Sequence, residues 1–371
     1  TRDKPKGTKK LEAERKAAEE KKLLKRKSFR EVAEEALEEL AQVGFWSGVR
    51  AHKREAQRLA KHIYPVLGNL IIQDIGPREV VAAFLTPTIQ ELAADSISRI
   101  SSTTKRIFDY ATRQGLIEMS PMQMPLYNAM LKAAPKPKKE AGHNGALLPE
   151  EVPEFIHSLI LYALSAKAAG RFVVPSFCLL FAILTNARST NAREARWKEF
   201  DFKAGVRVIP KERMKESKNG DHTVFLPSQL IELVESMPRI TGNPYVFASN
   251  HGGALSDGTF ASTIKALNKA RVEQGLAPFV DKRQKDSDGQ GRKITQHGVA
   301  RASFRTWSQK AVDTEGRRIV EAVAELTLHH AYKGAGGLGR AYEREEFLEE
   351  RRALAQQWTA FCLSKTPIEE W

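Results

Sequence analysis

Residues 134–145, APKPKKEAGHNG, constrain the fold most. Pro, Gly and Lys interrupt every apolar period there and leave nothing to pack. Regular patterning resumes on both sides, so the chain reads as two folding units joined by a basic linker over 133–146. At 371 residues it is long enough for two sizeable cores.

Upstream, residues 1–27 are rich in Lys, Glu and Ala and poor in apolar side chains, which fits a solvated basic helix or a linker. Residues 1–28 hold twelve Lys or Arg against five Asp or Glu, half of the chain's net charge of +14. Ser28 and Glu31 have capping-box spacing, and Phe29, Val32, Ala33, Ala36, Leu37, Leu40 and Ala41 then recur at helical intervals, predicting a helix over about 29–42. HKREAQRLAKHIYPVLG predicts a second helix ending at Gly68. After NLIIQDIGPREVVAAFL, read as a connection, Asp95 or Ser96 is expected to cap a third helix that stops at Gly115. Residues 28–132 therefore read as a small helical domain with many basic side chains.

Downstream, LLPEEVPEFIHSL is helical in pattern, and FVVPSFCLLFAILTNA reads as a buried helix with Arg188 just beyond its end. VRVIP (206–210) and HTVFLP (222–227) are the clear β signal, a hairpin whose long tip carries Lys215. Residues 254–274 are expected to be helical, and 280–293, VDKRQKDSDGQGRK, read as a mobile loop. The fold class is mainly α with a small antiparallel β-sheet.

The pI near 9.6 favours a polyanionic partner, because Lys and Arg bind phosphate backbones by displacing counterions. Two cysteines, Cys178 and Cys362, suggest neither a disulfide framework nor a zinc cluster and fit a reducing compartment. No apolar run reaches the roughly 18 residues of a membrane span. A start at Thr1 rather than Met suggests that a further N-terminal portion precedes it.

From His297 to Tyr342 the chain collects arginines, histidines and a tyrosine without a Cys cluster or an acidic metal-binding run. Such a set suits metal-free chemistry on a phosphodiester, with Tyr342 as nucleophile. A phenol of pKa near 10 is only about 0.1% ionised at pH 7, so it needs help. Guanidinium groups match two phosphate oxygens and stabilise the charge of a pentavalent transition state, while a further donor protonates the leaving oxygen. Adjacent His329 and His330 could suggest a metal, but neighbouring helical side chains diverge. Tyr332 is a weaker nucleophile candidate because no helix follows it closely, and Trp307 and Trp358 read as core.

The boxes LTNARSTNAREARWKEFD, IPKERMKESKNGDHTVFLP, HGVARASFRTW, AELTLHH and RAYEREEFLEERRALAQQW occur in the order found in tyrosine recombinases. From residue 28 onward the chain resembles that phage-integrase family, and most its genomic-island and satellite-phage branch. RIFDYATRQGLIEMSPM closes a segment similar to the family's core-binding domain. The resemblance implies a two-domain C-shaped clamp, with a helical SAM-like core-binding domain (28–132) and a mixed α/β catalytic domain with a C-terminal tail (147–371). It implies that Arg188 and Arg301 bind the phosphate and that Lys215 protonates the 5′ oxygen. His297 and His330 would complete the site, and Tyr342 would form a 3′-phosphotyrosyl bond. Arg305 competes with Arg301, which aligns better.

The implied activity is site-specific integration or excision of a mobile element through a Holliday junction, with no cofactor or metal. Double-stranded attachment-site DNA would be the partner, bound by a homotetramer, with accessory DNA-bending or excision factors, in the bacterial cytoplasm at the nucleoid. A catalytically impaired DNA-binding relative and a type IB topoisomerase-like enzyme are the alternatives. The C-terminal segment could be exchanged between protomers or dock in cis.

Three features depart from the family pattern. Asn191 stands where an acidic residue usually follows the first arginine. His297 precedes Arg301 by four residues instead of three, which on an α-helix turns the pair by about 100°. Either the backbone adjusts around Gly298 or His297 does not take the usual role. The stretch between His330 and Tyr342 is also slightly long.

Overall fold

The computed structural model describes residues 26–45, 49–134, 143–214, 219–286, 288–312, 316–330 and 347–366. The chain divides into two compact units, Thr1–Gly142 and His143–Trp371.

In the first unit, Ser28 Oγ accepts from the Glu31 amide while Glu31 reaches back to the Ser28 amide, so helix α1 (Phe29–Gln42) starts on a complete capping box. Helix α2 (Val49–His62) ends before the expected stop. A separate turn, α3 (Tyr64–Leu67), follows, because Pro65 suits a helix start better than an interior. Gly68 does end that turn, although its φ of −54° is ordinary. It is glycine because a Cβ there would lie 2.6 Å from the Tyr64 carbonyl oxygen.

The segment expected to be a connection contains helix α4 (Pro77–Phe84), started by Pro77 and by Glu79 accepting from the Gly76 amide at 2.9 Å. A short turn, α5 (Pro87–Gln90), follows. Helix α6 (Ala94–Arg113) takes Ala93 as its N-cap, not Asp95 or Ser96, and Asp95 instead pairs with Arg99 one turn on. Gly115 follows its end with φ +64°. Helix α7 (Pro125–Ala133) completes the unit. Phe29, Ile63, Val80, Ile107 and Phe108 form the centre of its core, with the Phe29 and Phe108 rings 5.4 Å apart.

The second unit is built around α9 (Val174–Leu184), which is buried nearly all round, as its uninterrupted apolar sequence requires. Against it pack α8 (Val152–Ala168), α11 (Ser228–Glu235) and α12 (Thr259–Glu273). Helix α12 starts at Thr259, later than expected, since Ser256–Gly258 form a turn. Strands β2 (Val206–Ile209) and β3 (His222–Phe225) pair antiparallel, with Val206 opposite Phe225 and Ile209 opposite His222. A two-residue strand, β1 (Phe200–Asp201), adds to the β2 edge.

Residues 280–293, expected to be a loop, form a second antiparallel hairpin, β4 (Val280–Lys285) and β5 (Gly291–Lys293). Its turn is closed by Asp286 accepting from the Asp288 and Gln290 amides. Its base is fixed by buried Asp281, which accepts from the Ala146 amide, Arg283 and Gln284. Burial would raise this carboxyl, but those hydrogen bonds outweigh it and hold it at about 2. Charged side chains concealed the hairpin because the anchoring residue is itself a carboxylate.

Helix α15 (Leu348–Leu363) packs on α8, α9 and α14 (Glu321–Thr327) of the second unit. Trp358 is fully buried beside Phe304, Trp307 and Phe361, and its Nε1 donates to the Ile183 carbonyl at 3.0 Å. Cys178 and Cys362 are buried thiols, which burial pushes up. Among the described residues, no helix is long and apolar enough to cross a membrane.

Candidate active site

The site begins where α9 runs out. Asn186 adopts the left-handed conformation (φ 55°), turning the chain so that Arg188 stands at the start of the short helix α10 (Ser189–Arg193). Two side chains from more than a hundred residues downstream grip this turn. Arg301 Nη1 donates to the Asn186 carbonyl at 2.8 Å, and Gln296 Nε2 donates to the Ala187 carbonyl at 2.7 Å. Arg301 Nη2 also donates to the Leu328 carbonyl at 2.8 Å. Burial first, and then the charge of nearby Arg188, brings the Arg301 guanidinium down to about 9, so it remains charged at neutral pH.

Arg301 lies in a π-helical turn, Gly298–Ser303, which leads directly into α13 (Phe304–Ser308). A π turn bonds residue i to i+5, not i+4, and so takes up one residue more than an α turn. The turn covers the interval from His297 to Arg301, where the spacing is one residue longer, and Gly298 packs closely against its neighbour there. A Cβ on Gly298 would lie 1.9 Å from the Gly145 carbonyl oxygen, so only glycine fits. His297 is exposed at the N-terminal end of this turn.

His330 follows α14 (Glu321–Thr327) and has its Nε2 2.6 Å from Arg301 Nη2 and its Nδ1 2.7 Å from a Glu325 carboxylate oxygen. A guanidinium only donates, so Nε2 accepts and Nδ1 carries the proton. Burial lowers the imidazole below its usual range; the Glu325 hydrogen bond opposes this, and the charges of Arg301 and Arg188 add to it. The other oxygen of Glu325 accepts from Arg305 Nε at 2.6 Å, and Arg305 also pairs with Glu321. Arg305 thus faces carboxylates, while Arg301 faces the Asn186 turn and His330.

His329 diverges from His330. Its Nε2 lies 3.2 Å from the Gly220 carbonyl at the base of the hairpin tip, and its ring lies 4.7 Å from that of His222. Burial, then His329 and Arg351, hold His222 well below the usual range. Asn191 does not substitute for a carboxylate; its side-chain amide donates to Met214 Sδ at 3.3 Å, next to Lys215 in sequence. A buried carboxylate does lie close by. Glu199 accepts from Arg207 at 2.9 Å and from Arg213, bracing the same hairpin. Lys215 and Tyr342 lie outside the described residues, as does Tyr332.

The structure therefore brings Arg188, Arg301 and His330 together. Glu325 contacts His330 and Gln296 grips the Ala187 carbonyl without either having been singled out from sequence, and Glu199 braces the neighbouring hairpin; Glu325 and Glu199 lie inside the boxes AELTLHH and LTNARSTNAREARWKEFD. The set offers clustered fixed positive charge with one neutral imidazole, an arrangement suited to holding an anionic oxygen.

A family model for the phage integrase central domain matches residues 29–124, and a model for the phage integrase family matches 147–287, together more than half of the chain. Prophage integrase IntA of Escherichia coli (strain K12) is 28% identical over 301 residues, which cover 81% of this chain and 62% of IntA. The integrase of Enterobacteria phage P4 is 25% identical, over 83% of this chain and 64% of its own length. The chain thus spans less than two thirds of either relative. Among solved structures, a lambda integrase tetramer bound to a Holliday junction is similar in fold, with TM-score 0.55, 18% identity and coverage of 84% of this chain and 79% of that one. A Tn1549 transposon integrase in complex with a circular intermediate DNA gives TM-score 0.53 at 11% identity, covering 85% of this chain and 99% of that one.

Proposed function

Because the chain belongs to the phage integrase family, we propose that it is a tyrosine-type site-specific recombinase that cuts and rejoins double-stranded DNA. The observation that carries this reading is the Arg301 guanidinium, held by two carbonyls between Arg188 and His330. Arg188 and Arg301 bind the non-bridging oxygens of the scissile phosphate. Tyr342 attacks phosphorus, its phenolic proton passing to a histidine. The bond to the 5′ oxygen breaks, and Lys215 delivers a proton to that oxygen. A 3′-phosphotyrosyl bond and a free 5′ hydroxyl result, and attack by a second strand's 5′ hydroxyl reverses the step on a new partner. His297 is the histidine that takes the phenolic proton, and His330 hydrogen-bonds the scissile phosphate.

The phosphotyrosyl bond conserves the phosphodiester energy, so this chemistry calls on neither a metal nor a nucleotide cofactor. In this reading residues 28–132 are the core-binding domain and 147–371 the catalytic domain, with 1–27 and 133–146 as basic connectors. Four protomers act on two synapsed sites through a Holliday junction, with accessory DNA-bending or excision factors, to integrate or excise a mobile element in the cytoplasm at the nucleoid.

The test is covalent capture. Incubated with a pool of nicked duplexes of random sequence, the protein is expected to retain DNA through denaturation, and sequencing the retained strands gives the site and its polarity. Tyr342→Phe is expected to abolish the adduct, and an adduct that persists overturns the assignment. Binding without any adduct would make the chain an inactive relative. Relaxation of supercoiled plasmid without site preference would make it topoisomerase-like.

A further inference from the structure

We propose that Glu325 is the positioning residue of this site: clamped by Arg305, its carboxylate accepts the Nδ1–H of His330 and aims Nε2 at the place where Arg301 binds phosphate. The proposal rests on the recombinase reading and deepens it. Glu325 holds His330 twice, since its backbone carbonyl also accepts from the His330 amide at 2.9 Å. Arg305 follows the π turn that carries Arg301, and Glu325 lies on α14 just before His330. The Arg305–Glu325 ion pair therefore ties the arginine's element to the histidine's element independently of the direct Arg301–His330 contact.

The charge of Glu325 has a second effect. Without DNA, Nε2 accepts from Arg301, so the ring is neutral. When a phosphate oxygen takes over that guanidinium N–H, Nε2 loses its donor, and it can bond an anionic oxygen only by carrying a proton itself. The proton comes from solvent. Glu325 favours the resulting imidazolium, whereas Arg301 and Arg188 oppose it until the phosphate offsets their charge. Arg305 and Glu321 stand behind Glu325 and do not contact the ring. Glu325 thereby sets the pH above which His330 ceases to donate.

The test uses the full chain and a nicked duplex carrying the sequence recovered by covalent capture, with the rate of adduct formation followed from pH 6 to 9. In Glu325→Gln the amide oxygen still accepts the Nδ1–H but lacks the charge. Its rate is expected to stay within about threefold of the parent at pH 6 and to fall about tenfold below it at pH 8, the alkaline limb moving down by roughly one unit. Glu325→Ala, which also loses the aim, is expected to fall about 10²-fold at every pH. A Gln-to-parent ratio that stays constant with pH overturns the proposal. A second readout needs no cleavage: imidazole ¹⁵N NMR of the DNA-free protein should show His330, identified by signal loss in His330→Asn, protonated at Nδ1 and bare at Nε2. The opposite tautomer overturns the proposal. Failure of the parent protein to form any adduct counts against the recombinase reading instead, and the NMR result then decides the role of Glu325 alone.

Discussion

Glu199 supports two arginines at once. Its side chain is 2% exposed, and it accepts from Arg207, which is wholly buried between the Phe181 and Phe200 rings, and from half-buried Arg213. A buried charge cluster contributes little net stability while intact, but losing one partner strands the others. Glu199→Ala is therefore expected to cost about 3–5 kcal/mol, read as a lower urea midpoint for the second unit, and a loss under about 1 kcal/mol would contradict this account. The cost should extend to the site, because Met214, next to Lys215, is packed in the same region by Asn191. Such a residue is hard to find from sequence. In VRVIP, Arg207 shares the buried face with Ile209 while Val208 is 40% exposed, so a reader who turns the valines inward chooses the wrong face.

The elements differ in how openly their sequences declare them. Helix α1 was legible because Ser28, Glu31 and the apolar residues agree, and α9 because nothing polar interrupts it. Helix α4 was concealed by Gly76–Pro77, which read as a break but serve as its start. The β4–β5 hairpin was concealed by its charge. In the site, Arg188, Arg301 and His330 could be picked out by box, but the Glu325 link could not, since Arg305 reaches it across 20 residues with no local pattern. The π turn illustrates the same limit, because no local pattern in HGVARASF distinguishes it from an α turn. Deleting Ala300 should convert this turn to ordinary α-helix and lower the melting temperature less than deleting Thr306 from α13, where the register of Trp307 would be lost. Equal losses, measured by thermal unfolding of both variants, would mean that the turn has no slack.

For the molecule as a whole, the net charge of +14 bears most directly on the proposed binding to DNA. If about six to ten phosphates are neutralised, affinity is expected to fall roughly 10³- to 10⁵-fold between 50 and 200 mM salt, and a flat response in a filter-binding or anisotropy titration would exclude extensive backbone contact. The gripping of the Asn186 turn also bears on how the protein is made. Arg301 meets Asn186 across 115 residues, Gln296 meets Ala187 across 109, and Trp358 meets Ile183 across 175. Contacts this distant in sequence form late, after the loops between them have closed. During synthesis the basic first unit emerges and folds before the residues that complete the phosphate grip have left the ribosome. A nascent chain therefore carries its folded basic unit for some time before the grip on the Asn186 turn exists, so the proposed DNA affinity and the proposed cutting chemistry would be acquired in that order.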